Sequence, residues 1–143
     1  MHSTLSPELE SFRASCRGTA ERHFRELIPL MDQEREFPHQ ARPILAEMGA
    51  YGLPFPEAIG GNDGSWLAWA LLHEEVARVL PALGIHFQVN TVVAGAVLEC
   101  ATPEQVERWL PPLLSGEKVG FFAFTEPSTG SDPDLLQTRA ERT

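Results

Sequence analysis

The spacing of the apolar residues constrains the fold of this chain most, because that spacing changes once along the sequence. Up to about residue 116, apolar side chains recur every three or four residues, the period of an amphipathic α-helix. Beyond that point the apolar residues first run together and then alternate, as they do in β-strands. The sequence therefore predicts a mainly α-helical fold, with a helical domain over residues 1–116 and the start of a β domain over residues 117–143.

The first two predicted helices have ends marked by Ser, Pro and Gly. Ser6 is a suitable N-cap for a first helix whose apolar face extends to Met31, and Pro29 is expected to kink or end it. A second, shorter helix is predicted to open near Phe37 and to stop at Gly49. Between residues 52 and 64 the density of Pro and Gly predicts irregular backbone, which carries enough apolar residues to pack against the helices.

Three further helices are predicted beyond this turn-rich segment. One begins at the N-cap Ser65 and is interrupted by Pro81. The next, over residues 85–98, is apolar nearly all round, which indicates a central buried helix. The last begins with a capping box formed by Thr102 and Gln105, and the proline pair at residues 111–112 is expected to stop it.

The β-prone part of the chain is short. Residues 119–125 are predicted to form a buried strand, and alternation over residues 136–140 predicts a second strand. Two strands do not make a stable sheet. We therefore expect the chain to hold only the beginning of a β domain.

Charge and composition exclude several classes of partner. The formal net charge of −9 makes a nucleic acid or an anionic membrane surface an unfavourable partner. No uninterrupted apolar run reaches the roughly 18 residues that a membrane span needs. The two cysteines cannot form a disulfide framework, and the N-terminus lacks the pattern of a secretory signal. A cytoplasmic location with reduced thiols is the expectation.

No metal site is predicted. His73 and Glu74 begin like a zinc-protease motif, but residue 77 is Ala where that motif needs its second His. The five histidines and two cysteines show no other spacing typical of metal ligands. Glu74 and Glu75 are instead assigned to a helix surface.

The loop at residues 125–132 reads Thr-Glu-Pro-Ser-Thr-Gly-Ser-Asp and follows the first predicted strand directly. Its four hydroxyls and its glycine could direct side-chain and backbone donors at one acceptor-rich ligand. An ordinary turn rich in Ser, Thr and Gly has the same composition, and on composition alone it is the better-supported interpretation.

Four motifs, in this order and spacing, resemble the acyl-CoA dehydrogenases. They are Gly-Leu-Pro-Phe-Pro-Glu-Ala-Ile-Gly-Gly at residues 52–61, Glu-Glu-Val-Ala-Arg at 74–78, Thr-Pro-Glu-Gln-Val-Glu-Arg-Trp-Leu-Pro-Pro-Leu-Leu-Ser-Gly-Glu at 102–117, and Phe-Ala-Phe-Thr-Glu-Pro-Ser-Thr-Gly-Ser-Asp at 122–132. The resemblance extends from about residue 12 to residue 140. It implies an N-terminal helical domain, a central β domain and a C-terminal helical domain, with FAD as the cofactor.

The resemblance also implies site residues. The cofactor contacts would be Phe122, Phe124, Thr125, Gly130 and Ser131. The match to Ser131 also contacts the acyl-CoA, and the helix over residues 85–98 would line the acyl pocket with His86, Phe87 and Asn90. The alternative for these three helix residues is that they are core or interhelix contacts.

The implied function is that of the N-terminal part of an FAD-dependent acyl-CoA dehydrogenase. Such an enzyme removes an α-proton and a β-hydride from an acyl-CoA thioester and passes electrons to an acceptor flavoprotein, and the resemblance implies a homo-oligomer when the protein is complete. No catalytic residue is assigned here, because the family's carboxylate base belongs to the C-terminal domain, so we expect the isolated chain to be inactive. The alternatives are a flavin-dependent monooxygenase or oxidase on the same fold, and a non-catalytic helical subunit that pairs with another chain.

Overall fold

The computed structural model describes residues 5–141 and contains, in that range, six α-helices and no β-strand. The helices are α1 (Pro7–His23), α2 (Ile28–Asp32), α3 (Ala41–Glu47), α4 (Trp66–Val79), α5 (Pro81–Cys100) and α6 (Pro103–Leu114). Single turns of 3₁₀-helix lie at Arg25–Leu27, Glu57–Ile59 and Pro133–Leu135. The mainly helical fold predicted from the sequence is therefore confirmed.

Helix α5 is central to the packing. It contacts α4 and α6, and α4 in turn packs against α1. The larger core cluster joins α1, α3, α4 and the first half of α5 around Phe24, Leu72 and Phe87, while a smaller one joins α5 to α6 around Leu110. The predicted helix forms at the centre of the packing and is longer than residues 85–98, but only one face of it is buried, since Ile85 is 58% and Val92 46% exposed.

By length and composition alone, α5 could also cross a membrane. A helix in the core of a domain meets the same two criteria, so this is weak evidence for a membrane span. The contacts of α5 with α4 and α6 account for the apolar residues on its buried face.

The predicted helix ends are confirmed where capping side chains mark them. Ser6 Oγ accepts a hydrogen bond from Leu9 N at 3.3 Å, and Ser65 Oγ accepts one from Ala68 N at 3.0 Å. Thr102 and Gln105 form the predicted reciprocal capping box at the start of α6. These bonds satisfy N–H groups that the first turn of a helix leaves without partners.

Two helix boundaries differ from the prediction because of prolines. The first helix ends at His23, and Pro29 lies in the first turn of the separate helix α2. A continuous helix would bring the ring of Pro29 against the carbonyl of Arg25, so the chain makes a 3₁₀ turn there instead. The second predicted helix begins at Ala41 rather than near Phe37, with Pro43 in its first turn, where the missing N–H has no helical partner to lose.

The prediction that the proline pair stops helix α6 is wrong. The helix continues through Pro111 and Pro112 to Leu114. The carbonyls deprived of N–H partners belong to Glu107 and Arg108, both of which are exposed to solvent. The last turn also buries Leu113 and Leu114 in the smaller core cluster. Water can therefore satisfy the freed carbonyls while apolar burial holds the last turn in place.

Neither predicted strand forms. Residues 119–125 have no regular secondary structure and no strand partner, and Phe121 is 90% exposed rather than buried. Residues 136–140 are likewise unpaired and exposed. The prediction was wrong for this chain because a strand is held by a neighbouring strand, and the described residues supply only one isolated bridge, between Glu126 and Thr129.

Candidate functional site

The segment before the loop presents two aromatic rings side by side. The rings of Phe122 and Phe124 are stacked, with centroids 5.5 Å apart and planes 10° from parallel. Phe122 is exposed and Phe124 is half-buried, so the pair forms an apolar wall at the surface.

The loop itself is folded around a tight turn. Glu126 N donates to Thr129 O at 2.9 Å, and Thr129 N donates to Glu126 O at 3.1 Å, with Pro127 at the second position of the turn. The turn brings Gly130 close to Thr125. A Cβ built on Gly130 would lie 3.7 Å from Thr125 Cγ2. Thr125, Gly130 and Ser131 are all exposed. The structure therefore brings Thr125 and Gly130 into contact range, with Ser131 next to them in the chain.

Glu126 closes the loop from the other side. Its carboxylate accepts hydrogen bonds from Gln137 N at 2.9 Å and from Thr138 N at 2.8 Å. The side chain of Thr138 first, and then the backbone N–H groups of Gln137 and Thr138, lower the pKa of Glu126, which favours its ionised form. Nothing in the spacing of the sequence indicated this contact, because it joins residues 11 and 12 positions apart across an irregular segment.

One of the four loop hydroxyls forms a hydrogen bond within the loop itself. Thr129 is buried, and its Oγ1 donates a hydrogen bond to the carbonyl of Asp132. The carboxylate of Asp132 in turn accepts from Asp134 N at 3.2 Å. Thr129 and Asp132 thus stabilise the loop, and the hydroxyls left at the surface belong to Thr125, Ser128 and Ser131.

His86 contacts a tyrosine within the helical domain. Its Nε2 lies 3.0 Å from Tyr51 Oη, and its ring centroid lies 4.6 Å from that of Phe37. Burial lowers the pKa of His86, and the charges of Arg42 and His39 lower it further. Burial also raises the pKa of Tyr51 to about 12. The pair is therefore a neutral imidazole and a protonated phenol joined by one hydrogen bond, whose direction is set by the tautomer of His86.

The structure does not support Phe87 and Asn90 as lining of an acyl pocket. Both are completely buried. Phe87 packs edge-on against Trp69 and His73 in the larger core cluster. Asn90 Nδ2 donates to Leu113 O, and its Oδ1 accepts from Gly120 N. For these two residues the alternative of core and interhelix contacts is the one observed, because neither offers surface to a ligand.

Glu75, which was assigned to a helix surface, is buried among arginines instead and is only 1% exposed. It forms ion pairs with Arg13 and Arg17 of α1, both at 2.7 Å, and with Arg78 of α4 at 3.0 Å. The guanidinium of Arg17, followed by those of the other two, lowers the pKa of Glu75 to about 2 against the opposing effect of burial. The spacing of Arg13 and Arg17, four apart on one helix face, was the signal in the sequence.

The carboxylates with shifted pKa values are poor candidates for a general base. A carboxylate with a pKa of about 2 takes up a proton weakly near neutral pH. Glu126 is likewise shifted downwards. Within residues 5–141, no cluster of three or more His, Cys, Asp or Glu side chains could hold a metal ion.

Comparison with known proteins gives one family. The family described as "Acyl-CoA dehydrogenase, N-terminal domain" matches residues 6–117. The short-chain specific acyl-CoA dehydrogenase of Sus scrofa mitochondria is 33% identical over 141 residues, which are 96% of this chain and 33% of that protein. The subunit CarC of the caffeyl-CoA reductase-Etf complex of Acetobacterium woodii is 31% identical over 95% of this chain and 36% of its own length.

Solved structures that resemble this chain include an acyl-CoA dehydrogenase. The structure of glutaryl-coenzyme A dehydrogenase in its glutaryl-CoA complex superposes with a TM-score of 0.86 and 29% identity, over 95% of this chain and 35% of that one. The chain thus spans about a third of the length of the proteins that it matches.

Proposed function

The chain belongs to the acyl-CoA dehydrogenase family, and from that premise we propose that it is the N-terminal part of an FAD-dependent enzyme that dehydrogenates an acyl-CoA thioester between its α- and β-carbons. The observation that carries the proposal is the convergence of Thr125, Gly130 and Ser131 on one exposed loop, next to the aromatic wall of Phe122 and Phe124.

These residues fit one side of a flavin. The stacked rings of Phe122 and Phe124 offer an apolar surface to a planar ring system. The exposed hydroxyl of Thr125 is a hydrogen-bond donor, and Gly130 has no side chain to hinder close approach of the cofactor. The family resemblance further implies that Ser131 donates to the flavin and to the acyl-CoA, and its exposed hydroxyl is free to do so. When bound, FAD supplies the acceptor for the two electrons that leave the substrate.

The proton-abstracting base is proposed to lie outside the residues described here. In this part of the chain, Glu75 is neutralised by three arginines and Glu126 is engaged by two backbone N–H groups. A base must be free to accept a proton at the substrate, which neither of these carboxylates is.

Partners follow from the same premise. The substrate would be an acyl-CoA, and the electron acceptor would be a flavoprotein; support comes from relatives named for a glutaryl-CoA complex and for an Etf complex. We further propose a homo-oligomer when the protein is complete, a cytoplasmic location and a place in fatty acid metabolism.

The test is made on the full-length protein that contains these residues. We expect it to purify with bound flavin, visible by its absorption, and to lose that absorption when butyryl-CoA or a longer acyl-CoA is added without oxygen. Appearance of the 2,3-enoyl-CoA product would complete the assignment. Purified protein that takes up no FAD, or bound flavin that no acyl-CoA reduces, would contradict the proposal.

A further inference from the structure

A completely buried polar side chain on α5 reaches the start of the segment that leads to the loop. Asn90 Nδ2 donates to Leu113 O at 2.9 Å, and Asn90 Oδ1 accepts from Gly120 N at 2.8 Å. This orientation of the amide pairs a donor with an acceptor on both sides, whereas the flipped amide would pair neither. The single side chain thus ties the end of α6 to residue 120.

Gly120 lies directly against α5. A Cβ at this position would come within 2.6 Å of Val93 Cγ1 and 2.7 Å of Val93 Cβ, closer than any side chain can sit. The absence of a side chain at Gly120 is therefore what lets the backbone reach Asn90.

The segment between α6 and Gly120 is held at three further points. Gly116 has a left-handed φ of 76° and packs on the ring of Tyr51. Arg42 donates to Gly116 O at 3.0 Å and to Glu117 O at 3.2 Å. Lys118 N donates to Pro112 O at 2.8 Å. The path of the backbone over residues 116–120 is thus fixed, whereas beyond Gly120 Phe121 is almost fully exposed.

We propose that the hydrogen-bonded contact between Asn90 and Gly120 is a rigid joint, which sets the direction in which the chain leaves α5 towards the candidate flavin loop. Asn90 is then a positioning residue for the contact of Thr125 with the cofactor. The inference rests on the proposed function for its flavin part, while the joint itself is a property of the chain.

The length of the segment explains why the joint matters. Thr125 is five residues from Gly120, a distance of up to about 16 Å for a fully extended chain. A change of direction of only ~10° at Gly120 would move Thr125 by about 3 Å over that length. Cofactor and catalytic contacts require placement within roughly 0.5 Å, so the joint must be stiff for Thr125 to meet its partner.

The first experiment measures the joint in this chain. Asn90→Leu keeps the branched shape of the side chain and removes both hydrogen bonds. We expect the Gly120 amide to exchange its hydrogen on the order of tenfold faster or more, measured by NMR. The matched control is Thr91→Val on the same helix, because buried Thr91 bonds only within α5, to Phe87 O, and should leave Gly120 unchanged. Equal exchange at Gly120 in Asn90→Leu and the wild type would overturn the joint.

A second variant leaves Asn90 and the helical core intact. Gly120→Ala should push the segment away from α5, because its new Cβ meets Val93. Spin labels on the exposed native Cys100 and on Ser128→Cys, with Cys16→Ser as background, report the direction of the loop by their distance distribution. We expect Gly120→Ala to broaden or shift that distribution. An unchanged distribution in Gly120→Ala would contradict the joint even if Asn90→Leu failed to fold.

The flavin part is measured in the full-length protein loaded with FAD. Asn90→Leu should shift the absorption band of the bound flavin and weaken FAD retention, whereas Thr91→Val should do neither. If the wild type retains FAD and the Asn90→Leu spectrum is the same, the positioning role is wrong and the proposed function survives. If the wild type takes up no FAD, the proposed function fails together with the aiming role, while the exchange measurement still decides the joint.

Discussion

At the scale of single residues, Thr125 is the position where the proposed chemistry is most directly testable. A reduced flavin carries more negative charge, so a hydroxyl that donates to its pyrimidine side should stabilise the reduced form. A hydrogen bond to a charged group contributes about 1.5–3 kcal/mol, and ~30 mV corresponds to 1.4 kcal/mol for a two-electron couple. We expect Thr125→Val to lower the flavin potential by some tens of millivolts, measured by spectroelectrochemistry.

Two other loop hydroxyls serve as comparison for Thr125. Ser131→Ala should weaken acyl-CoA binding as well, since the match to Ser131 in the family contacts both ligands, whereas Thr125→Val should change that affinity less. Ser128→Ala removes an exposed hydroxyl at the tip of the turn and should change neither the potential nor the affinity. A potential that stays the same in Thr125→Val would show that this hydroxyl only shapes the turn.

A second prediction concerns the contribution of Glu75 to the free energy of unfolding. Glu75→Gln removes the charge that three arginines share and should lower the free energy of unfolding by about 3 kcal/mol, the low end for a broken buried ion pair, because the arginines keep 28–51% of their side chains exposed. Urea unfolding measures it. The matched control is Glu74→Gln, because Glu74 is about half exposed and pairs only with Arg13. Equal losses in the two variants would contradict the assigned role.

The same carboxylate predicts how stability depends on pH. Its folded pKa of about 2 lies below the ordinary value of 4.5, so the unfolded chain binds the proton more readily. The contribution of Glu75 is therefore fully present above pH 4.5 and is lost as the pH falls from there through 2. Acid unfolding of the wild type should be steeper across this range than that of Glu75→Gln.

Single-residue environments were the least predictable feature of this chain. The resemblance placed Thr125 and Gly130 in one loop, and the structure brings them together. It was silent on Glu75 and misplaced Asn90, because the partners of both lie on other elements of the chain. A side chain whose partners come from a distant element cannot be located from helical periodicity, which only indicates which residues share a face.

At the scale of elements, the start of α6 depends on its capping box. Thr102 N donates to Gln105 Oε1 at 2.9 Å, and Gln105 N donates to Thr102 Oγ1 at 3.4 Å. Thr102→Ala removes the acceptor for one N–H of the first turn, and we expect a loss of about 1 kcal/mol in the free energy of unfolding. Thr102→Ser keeps the hydroxyl and should lose little. A Thr102→Ala variant as stable as the wild type would show that packing of Leu110 alone holds the helix start.

Elements with local signals were predictable, and elements that need a distant partner were not. The N-caps of α1, α4 and α6 follow from side chains that bond within one turn, so the sequence was sufficient for them. Strand formation at residues 119–125 needs a ladder from another segment, and the continuation of α6 through two prolines needs the buried faces of Leu113 and Leu114. In both cases contacts with other parts of the chain, missing for the strand and present for α6, outweighed the local preference of the residues.

At the scale of the whole molecule, the described residues divide into a packed helical part and an exposed segment. The core clusters draw on residues between Phe12 and Leu114. Beyond Gly120, Phe121, Phe122, Leu135 and Leu136 are exposed apolar side chains. These side chains and the unpaired backbone are the features that a partnering β structure would cover.

This division predicts two levels of protection from hydrogen exchange in the 143-residue chain. Amides in α4 and α5 should exchange only through global unfolding, because their hydrogen bonds lie in the core, whereas amides at residues 121–141 should exchange close to the rate of an unfolded peptide. The exceptions should be the hydrogen-bonded amides of this segment, which include Glu126 and Thr129 in the tight turn and Gln137 and Thr138, whose N–H groups bond to Glu126. The protection of Gln137 and Thr138 should fall as Glu126 is protonated at low pH or replaced by Gln. The measurement is hydrogen exchange by NMR on a sample shown by ultracentrifugation to be monomeric. Protection of residues 121–125 equal to that of α5 in such a monomer would mean that this segment has a partner within the chain, and the description of it as an exposed, unpaired segment would be wrong.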